Sequence, residues 1–185
     1  MPHKTFFLDR DGTLNVDYNF VHKPEEWTWR KGAIEAIRWM NQNDYKVIVV
    51  TNQSGIARGR YDVEDVRQLH RWVNEQLDRH NAHIDGWYMA PYHPEHDTDP
   101  PTFNPSHRKP DTGMFEDAQQ EFDLDFSRSC MAGDKRSDLE PAVKLGMQCF
   151  HIRSGHEEEP SSAFLDEHKI SSFNHLGEVV KYLSE

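Results

Sequence analysis

Short β-branched or aromatic runs, separated by stretches with helical spacing, constrain this chain more than any other feature. Thr5 to Leu8, Val47 to Val50, Trp87 to Met89, Cys130 to Ala132 and Gln148 to Ile152 each have the length and composition of a buried strand. Between them apolar residues recur three and four apart. Ala33, Ile34, Ile37 and Met40 form one such set, and Val63, Val66, Leu69, Trp72, Val73 and Leu77 another, which predicts amphipathic helices. Asp62 is placed to cap the second helix and Asn174 to cap a last one from Leu176 to Leu183, while Gly146 is placed to end a helix beginning near Ser137. Strands that alternate with helices need crossovers. The expected fold is therefore α/β and Rossmann-like, a mainly parallel sheet with helices on both faces.

At 185 residues the chain can bury roughly 70% of its unfolded surface, so a single domain spanning 1–185 needs no disulfide or metal staple. Cys130 and Cys149 read as buried thiols of a reducing compartment. No apolar run exceeds four residues and Met-Pro-His-Lys lacks a leader's apolar stretch, so the expectation is a cytoplasmic monomer without membrane contact. A formal charge of −11 disfavours nucleic acid as partner. Two segments break the alternation. Residues 10–31 hold Trp27 and Trp29 at alternating positions and suggest a small hairpin flap, too short to be a cap domain. Residues 91–110, rich in proline and histidine, read as an extended loop.

The chemistry gathers where strands end. Leu8-Asp9-Arg10-Asp11-Gly12-Thr13 sets two carboxylates two residues apart after the first strand, where open parallel sheets bind ligands; a simple turn stabilised by Asp11 and Gly12 is the bland alternative. Thr51-Asn52-Gln53-Ser54 follows the second strand with a hydroxyl and amides suited to phosphate oxygens. Gly133-Asp134-Lys135-Arg136-Ser137-Asp138 follows a later strand with hard oxygen donors suited to Mg²⁺, although Asp138 also suits a helix start. Arg108-Lys109-Pro110 adds fixed positive charge before a helix. Together these clusters supply a nucleophilic carboxylate, a second acid or base, a metal site and phosphate-neutralising groups, which is an inventory for phosphoryl transfer.

In this order the motifs resemble those of the haloacid dehalogenase (HAD) superfamily of phosphohydrolases: DxDGT from Asp9 to Thr13, a strand ending in Thr51, Lys109, and GDxxxD through Asp134 and Asp138. More narrowly, FLDRDGTLNVDYNFVH, VVTNQSGIARG, RKPDTGMF and AGDKRSDLE resemble the branch holding the heptose-bisphosphate and histidinol-phosphate phosphatases, over roughly residues 5 to 155. The resemblance implies that Asp9 is the nucleophile, Asp11 the general acid and base, and Thr51 and Lys109 the ligands of the transferring phosphoryl group. It implies Mg²⁺ at Asp9, the Asp11 carbonyl and Asp134, with Asp138 in support. Asp17, Tyr18, Asn19, Asn52, Gln53, Ser54, Arg108 and Lys135 match positions that bind substrate, and the implied partner is a small phosphorylated metabolite.

That branch usually carries a zinc loop. Here its ligand positions hold Ala90, Tyr92, Pro105 and His107, and neither alanine nor proline can replace a thiolate, so zinc is expected to be absent. His93, His96 and His107 offer the makings of a relocated site, although histidines in a polar loop are more often solvated. A phospho-receiver module shares an acid cluster, Thr and Lys but places its phosphorylated Asp after the third strand; a nucleic-acid 3′-phosphatase shares the catalytic motifs but wants a basic surface.

Overall fold

The computed structural model describes residues 1–97 and 103–185. Its strands are β1 (Thr5–Leu8), β2 (Lys46–Asn52), β3 (Gly86–Ala90), β4 (Cys130–Gly133), β5 (Gln148–Ile152) and β6 (Ser171–Phe173), and its α-helices are α1 (Ala33–Gln42), α2 (Val63–Asp78), α3 (Gly113–Phe122), α4 (Arg136–Lys144), α5 (Ser162–Glu167) and α6 (Leu176–Ser184). All six strands pair in parallel in the order β3-β2-β1-β4-β5-β6. Because side chains alternate across a strand, Phe6 and Leu8 of β1 enter one core layer with Val47, Val49 and helices α1, α2 and α6. Phe7 enters the other with Ile48, Val50, Met131 and helices α3, α4 and α5. Both sheet faces are thus covered, which is why the central strands read as unbroken apolar runs.

The strand order reverses at β1. The chain runs outward from β1 through β2 to β3, then returns to β4 on the other side of β1. Reversal leaves a crevice beyond the carboxyl ends of β1 and β4, and Asp9 and Asp134 are the first residues past those ends.

Several local expectations hold. The Asp62 side chain accepts from the Asp65 backbone N–H at the start of α2. Gly146, at φ +77°, closes α4 with bonds from its own N–H to Val143 and from Met147 to Ala142, the paired pattern of a Schellman end. Others are corrected. Asn174 does not cap α6: His175 stands at the cap position, and the Glu178 carboxylate instead accepts the Asn174 N–H at 2.8 Å. Strand β6, three residues long with two of them serine, lies at the sheet edge and carries no apolar run for the sequence to show. Segment 10–31 forms no two-stranded flap. A single antiparallel bridge joins Asn15 to Trp29, Pro24–Glu26 is one 3₁₀ turn, and Leu14, Val21 and Trp27 bury into the core, tying the segment down. Cys130 and Cys149 are free and buried, and burial pushes both thiols up to about 12. Among the described residues no helix is long and apolar enough to cross a membrane.

Candidate active site

Four strand ends build the site. Past β1, the Asp9 carboxylate accepts from Lys109 Nζ at 2.8 Å; the same ammonium donates to Asp138 at 2.6 Å and to the Val50 carbonyl at 2.7 Å. Lys109 is 3% exposed, so its charge is held by two carboxylates and the end of β2 rather than by water. The two carboxylates push its ammonium up despite burial, and it stays charged. Its backbone is fixed too: Asn52 on β2 exchanges side-chain bonds with the Lys109 N–H (3.0 Å) and carbonyl (3.1 Å). Asp138, at the third position of α4, accepts the Lys135 N–H with its other oxygen, so it serves both the helix start and the lysine.

Asp134 follows β4 and is fully buried. One oxygen accepts from Ser154 Oγ at 2.6 Å, while Oδ1 has no partner among the described residues. Burial, with repulsion from Asp9 and Asp138, pushes its carboxyl up to about 9, and burial with Asp138 raises Asp9 against the pull of Lys109. Carboxylate oxygens of Asp9, Asp134 and Asp138 lie within 4.8 Å of one another. With all three ionised, as metal binding would require, three buried acids against one buried ammonium carry the excess negative charge that a divalent cation neutralises, and Asp134 Oδ1 is a hard oxygen without a partner among the described residues. Gly12 keeps that space open, since a Cβ there would come 2.3 Å from Asp134 Oδ2. The donor set therefore fits Mg²⁺. The Asp11 side chain lies outside this group of carboxylates, in keeping with an expected role for its backbone carbonyl alone.

Asp11 sits instead in a ring of donors. Arg10 bonds both its oxygens at 3.1 Å, Asn15 donates to Oδ1 at 2.9 Å and Gln53 to Oδ2 at 3.2 Å. Burial alone would raise its carboxyl, but the Arg10 charge and these bonds prevail and hold it below the usual carboxylate range.

Asp9 and Asp11 open into a cleft of about 550 Å³ with Asn52, Ser54, Arg108, Lys109 and Lys135 in its wall. Thr51 and Gln53 lie beneath it: Gln53 Nε2 bonds Thr51 Oγ1 at 2.9 Å, and Tyr61 holds Gln53 from behind at 2.8 Å. Gln53, expected as a substrate contact, braces Asp11 and also lines a side cavity next to the cleft. Asp17 and Asn19 line an adjoining side cavity, with Lys135 4.0 Å from Asp17. Tyr18 is 57% exposed and lines neither cavity. Sequence reasoning missed Arg58, His93 and Glu158 on the cleft wall, and Ser154; extending the strand-end rule to β5 would have found Ser154. In the loop, His107 pairs with Asp117 of α3 at 2.9 Å, apart from the neighbouring rings of His93 and His96.

A buried carboxylate beside a buried ammonium, among acids whose oxygens suit a divalent cation, lies at the switch point of a parallel sheet and is suited to phosphoryl transfer. Comparison with known proteins agrees. Residues 4–140 match the family "Polynucleotide kinase 3 phosphatase" and residues 106–178 the family "HAD-hydrolase-like". The D-glycero-beta-D-manno-heptose-1,7-bisphosphate 7-phosphatase of Haemophilus influenzae is 34% identical over 99% of this chain and 100% of that protein, and its Photorhabdus laumondii counterpart 39% identical over 80% of each. A crystal structure of the D,D-heptose 1,7-bisphosphate phosphatase of B. bronchiseptica, complexed with magnesium and phosphate, superposes with a TM-score of 0.81 at 28% identity, covering 97% of both chains. The chain belongs to the HAD-like phosphatases and is a phosphate-ester hydrolase.

Proposed function

We propose that this phosphatase removes the 7-phosphate of D-glycero-β-D-manno-heptose 1,7-bisphosphate through an aspartyl-phosphate on Asp9. The observation that carries the reading is the charge layout of the cleft. Its floor holds Asp9 and Lys109, while its wall holds Arg58 and Arg108, neither with an ion-pair partner among the described residues. A substrate with a phosphate at each end suits such a layout, and the named relatives act on one.

Asp9 attacks phosphorus in line, a P–O bond forms to its carboxylate, and the bond to the sugar oxygen breaks. Asp11, ionised at rest, takes up a proton as the phosphate dianion binds, gives it to the departing oxygen, then takes one from the water that attacks the aspartyl-phosphate, so inorganic phosphate leaves and both acids return to the states in which they met the bound substrate. Lys109 binds a phosphoryl oxygen and pulls Asp9 towards its ionised form against burial and Asp138, while Asp138 holds Lys109 in place. Mg²⁺ held by Asp9, Asp134 and the Asp11 carbonyl would screen the charge between attacking carboxylate and phosphate. Lys135 and Arg108 bind the rest of the substrate, Asp17, Asn19 and Ser54 its hydroxyls.

Phosphate release measured over heptose 1,7-bisphosphate, histidinol phosphate, other sugar phosphates and a 3′-phosphorylated oligonucleotide tests the substrate. The heptose bisphosphate should give the highest kcat/KM. Preference for histidinol phosphate overturns the substrate assignment, and preference for the oligonucleotide would align the chain with the polynucleotide name of its matching family.

A further inference from the structure

Arg10, the residue between Asp9 and Asp11, is the largest fully buried side chain among the described residues. Its guanidinium bonds both Asp11 oxygens, and Nη2 also donates to the Val21 carbonyl at 2.6 Å. The remaining nitrogen, Nη1, meets Nε2 of His70 at 3.2 Å. A guanidinium can only donate, so Nε2 must accept and the ring proton must sit on Nδ1. His70 comes from α2, is 4% exposed, and lies flat on Trp87 of β3 with ring centroids 3.9 Å apart. The ring is therefore a rigid, neutral acceptor.

Of the donors around Asp11, Arg10 alone reaches both oxygens; Asn15 bonds Oδ1 and Gln53 bonds Oδ2. Two contacts fix the plane of a carboxylate where one allows it to turn. The plane of Arg10 is in turn fixed by Val21 on one nitrogen and His70 on the other. We infer that His70, acting through Arg10, is a positioning residue that sets the orientation of the Asp11 carboxylate for proton transfer. The inference rests on the reading of Asp11 as general acid and base. His70 touches no substrate and stands outside the cleft.

Kinetics of His70→Phe and His70→Gln on a sugar phosphate and on an activated aryl phosphate test this, beside Asp11→Asn. Phenylalanine keeps the stacking on Trp87 but removes the acceptor; glutamine restores an acceptor near the Nε2 position. Because general acid catalysis matters most when the leaving group is poor, His70→Phe should lower kcat about tenfold on the sugar phosphate and less than about threefold on the aryl phosphate, with KM within about twofold on both. His70→Gln should recover most of the loss, and His70→Phe placed in Asp11→Asn should add almost nothing. Equal losses on both substrates, no rescue by glutamine, or full additivity in the double variant each overturn the inference. Should His70→Phe fail to fold, His70→Leu against His70→Gln carries the same contrast. A leaving-group split in Asp11→Asn without one at His70 overturns the His70 inference alone, whereas no split in Asp11→Asn overturns the acid–base reading and the inference with it.

Discussion

Replacing Asp134 by Asn should make the metal-free protein more stable while removing its response to magnesium. Asp134 is fully buried, and its carboxyl is pushed from 3.8 to about 9 by burial and by Asp9 and Asp138. A carboxyl whose folded value is raised favours the folded state only below its unfolded value, so the folded state loses ground as pH climbs from about 4 towards 9. At pH 7 the unfolded group is ionised and the folded one is not, which costs about 1.4 kcal/mol for each of about three pH units, or roughly 4 kcal/mol. Asp9 shares the same repulsion, so about half, ~2 kcal/mol, is assigned to Asp134. Asparagine keeps an acceptor for Ser154 Oγ and carries no charge. For a chain of this length ~2 kcal/mol raises Tm by about 4–8 °C. Thermal unfolding in EDTA should show that gain at pH 7 and about a third of it at pH 5. Saturating Mg²⁺ should raise the parent's Tm by a similar amount, since a ligand at a hundred times its Kd contributes about 2.7 kcal/mol, and should leave the variant nearly unmoved. A lower Tm for the variant in EDTA, or an undiminished magnesium response, would refute the electrostatic account of the pocket.

Asp11→Asn should slow hydrolysis of sugar phosphates by about 10²–10⁴-fold and that of aryl phosphates far less, and equal losses would remove proton transfer from its role. Lys109→Met leaves Asp9 and Asp138 facing each other without their shared ammonium, so it should lose activity and about 3–5 kcal/mol of stability by denaturant titration. Protein purified without affinity-tag metal should contain far less than one zinc per chain by elemental analysis, and chelation followed by Mg²⁺ should restore activity; stoichiometric zinc would show that the loop histidines bind it. In the native protein Cys130 and Cys149 should react with a thiol reagent only on unfolding, because both are buried and held as thiols.

Much of this was legible because it is local. Asp9, Asp134 and Asp138 could be placed from strand ends alone, since a buried parallel strand has one length and composition and its carboxyl end points to one crevice. The Asp62 cap and the Gly146 helix end were legible for the same reason. What escaped depends on contacts between distant segments. Nothing near Arg10 announces that a histidine sixty positions on accepts a hydrogen bond from it, nor does the sequence around Gln53 show that Tyr61 holds it while its amide donates to Asp11. Residues 10–31 misled because the alternation of Trp27 and Trp29 marks one buried side equally well in a strand and in an irregular segment laid on the core. Asn174 misled because Ser, Asp and Asn propensity at a cap is only a preference, and a glutamate one turn into α6 satisfied the backbone instead.

The claim at the centre of this account is that Asp9 carries the phosphoryl group between substrate and water. A single turnover with radiolabelled substrate, quenched in acid within milliseconds and digested, tests it directly. Label should appear on the peptide holding Asp9, be released by hydroxylamine, decay as inorganic phosphate forms, and be absent from Asp9→Asn. Full phosphate release with no label ever on the protein, or label on another residue, would contradict it.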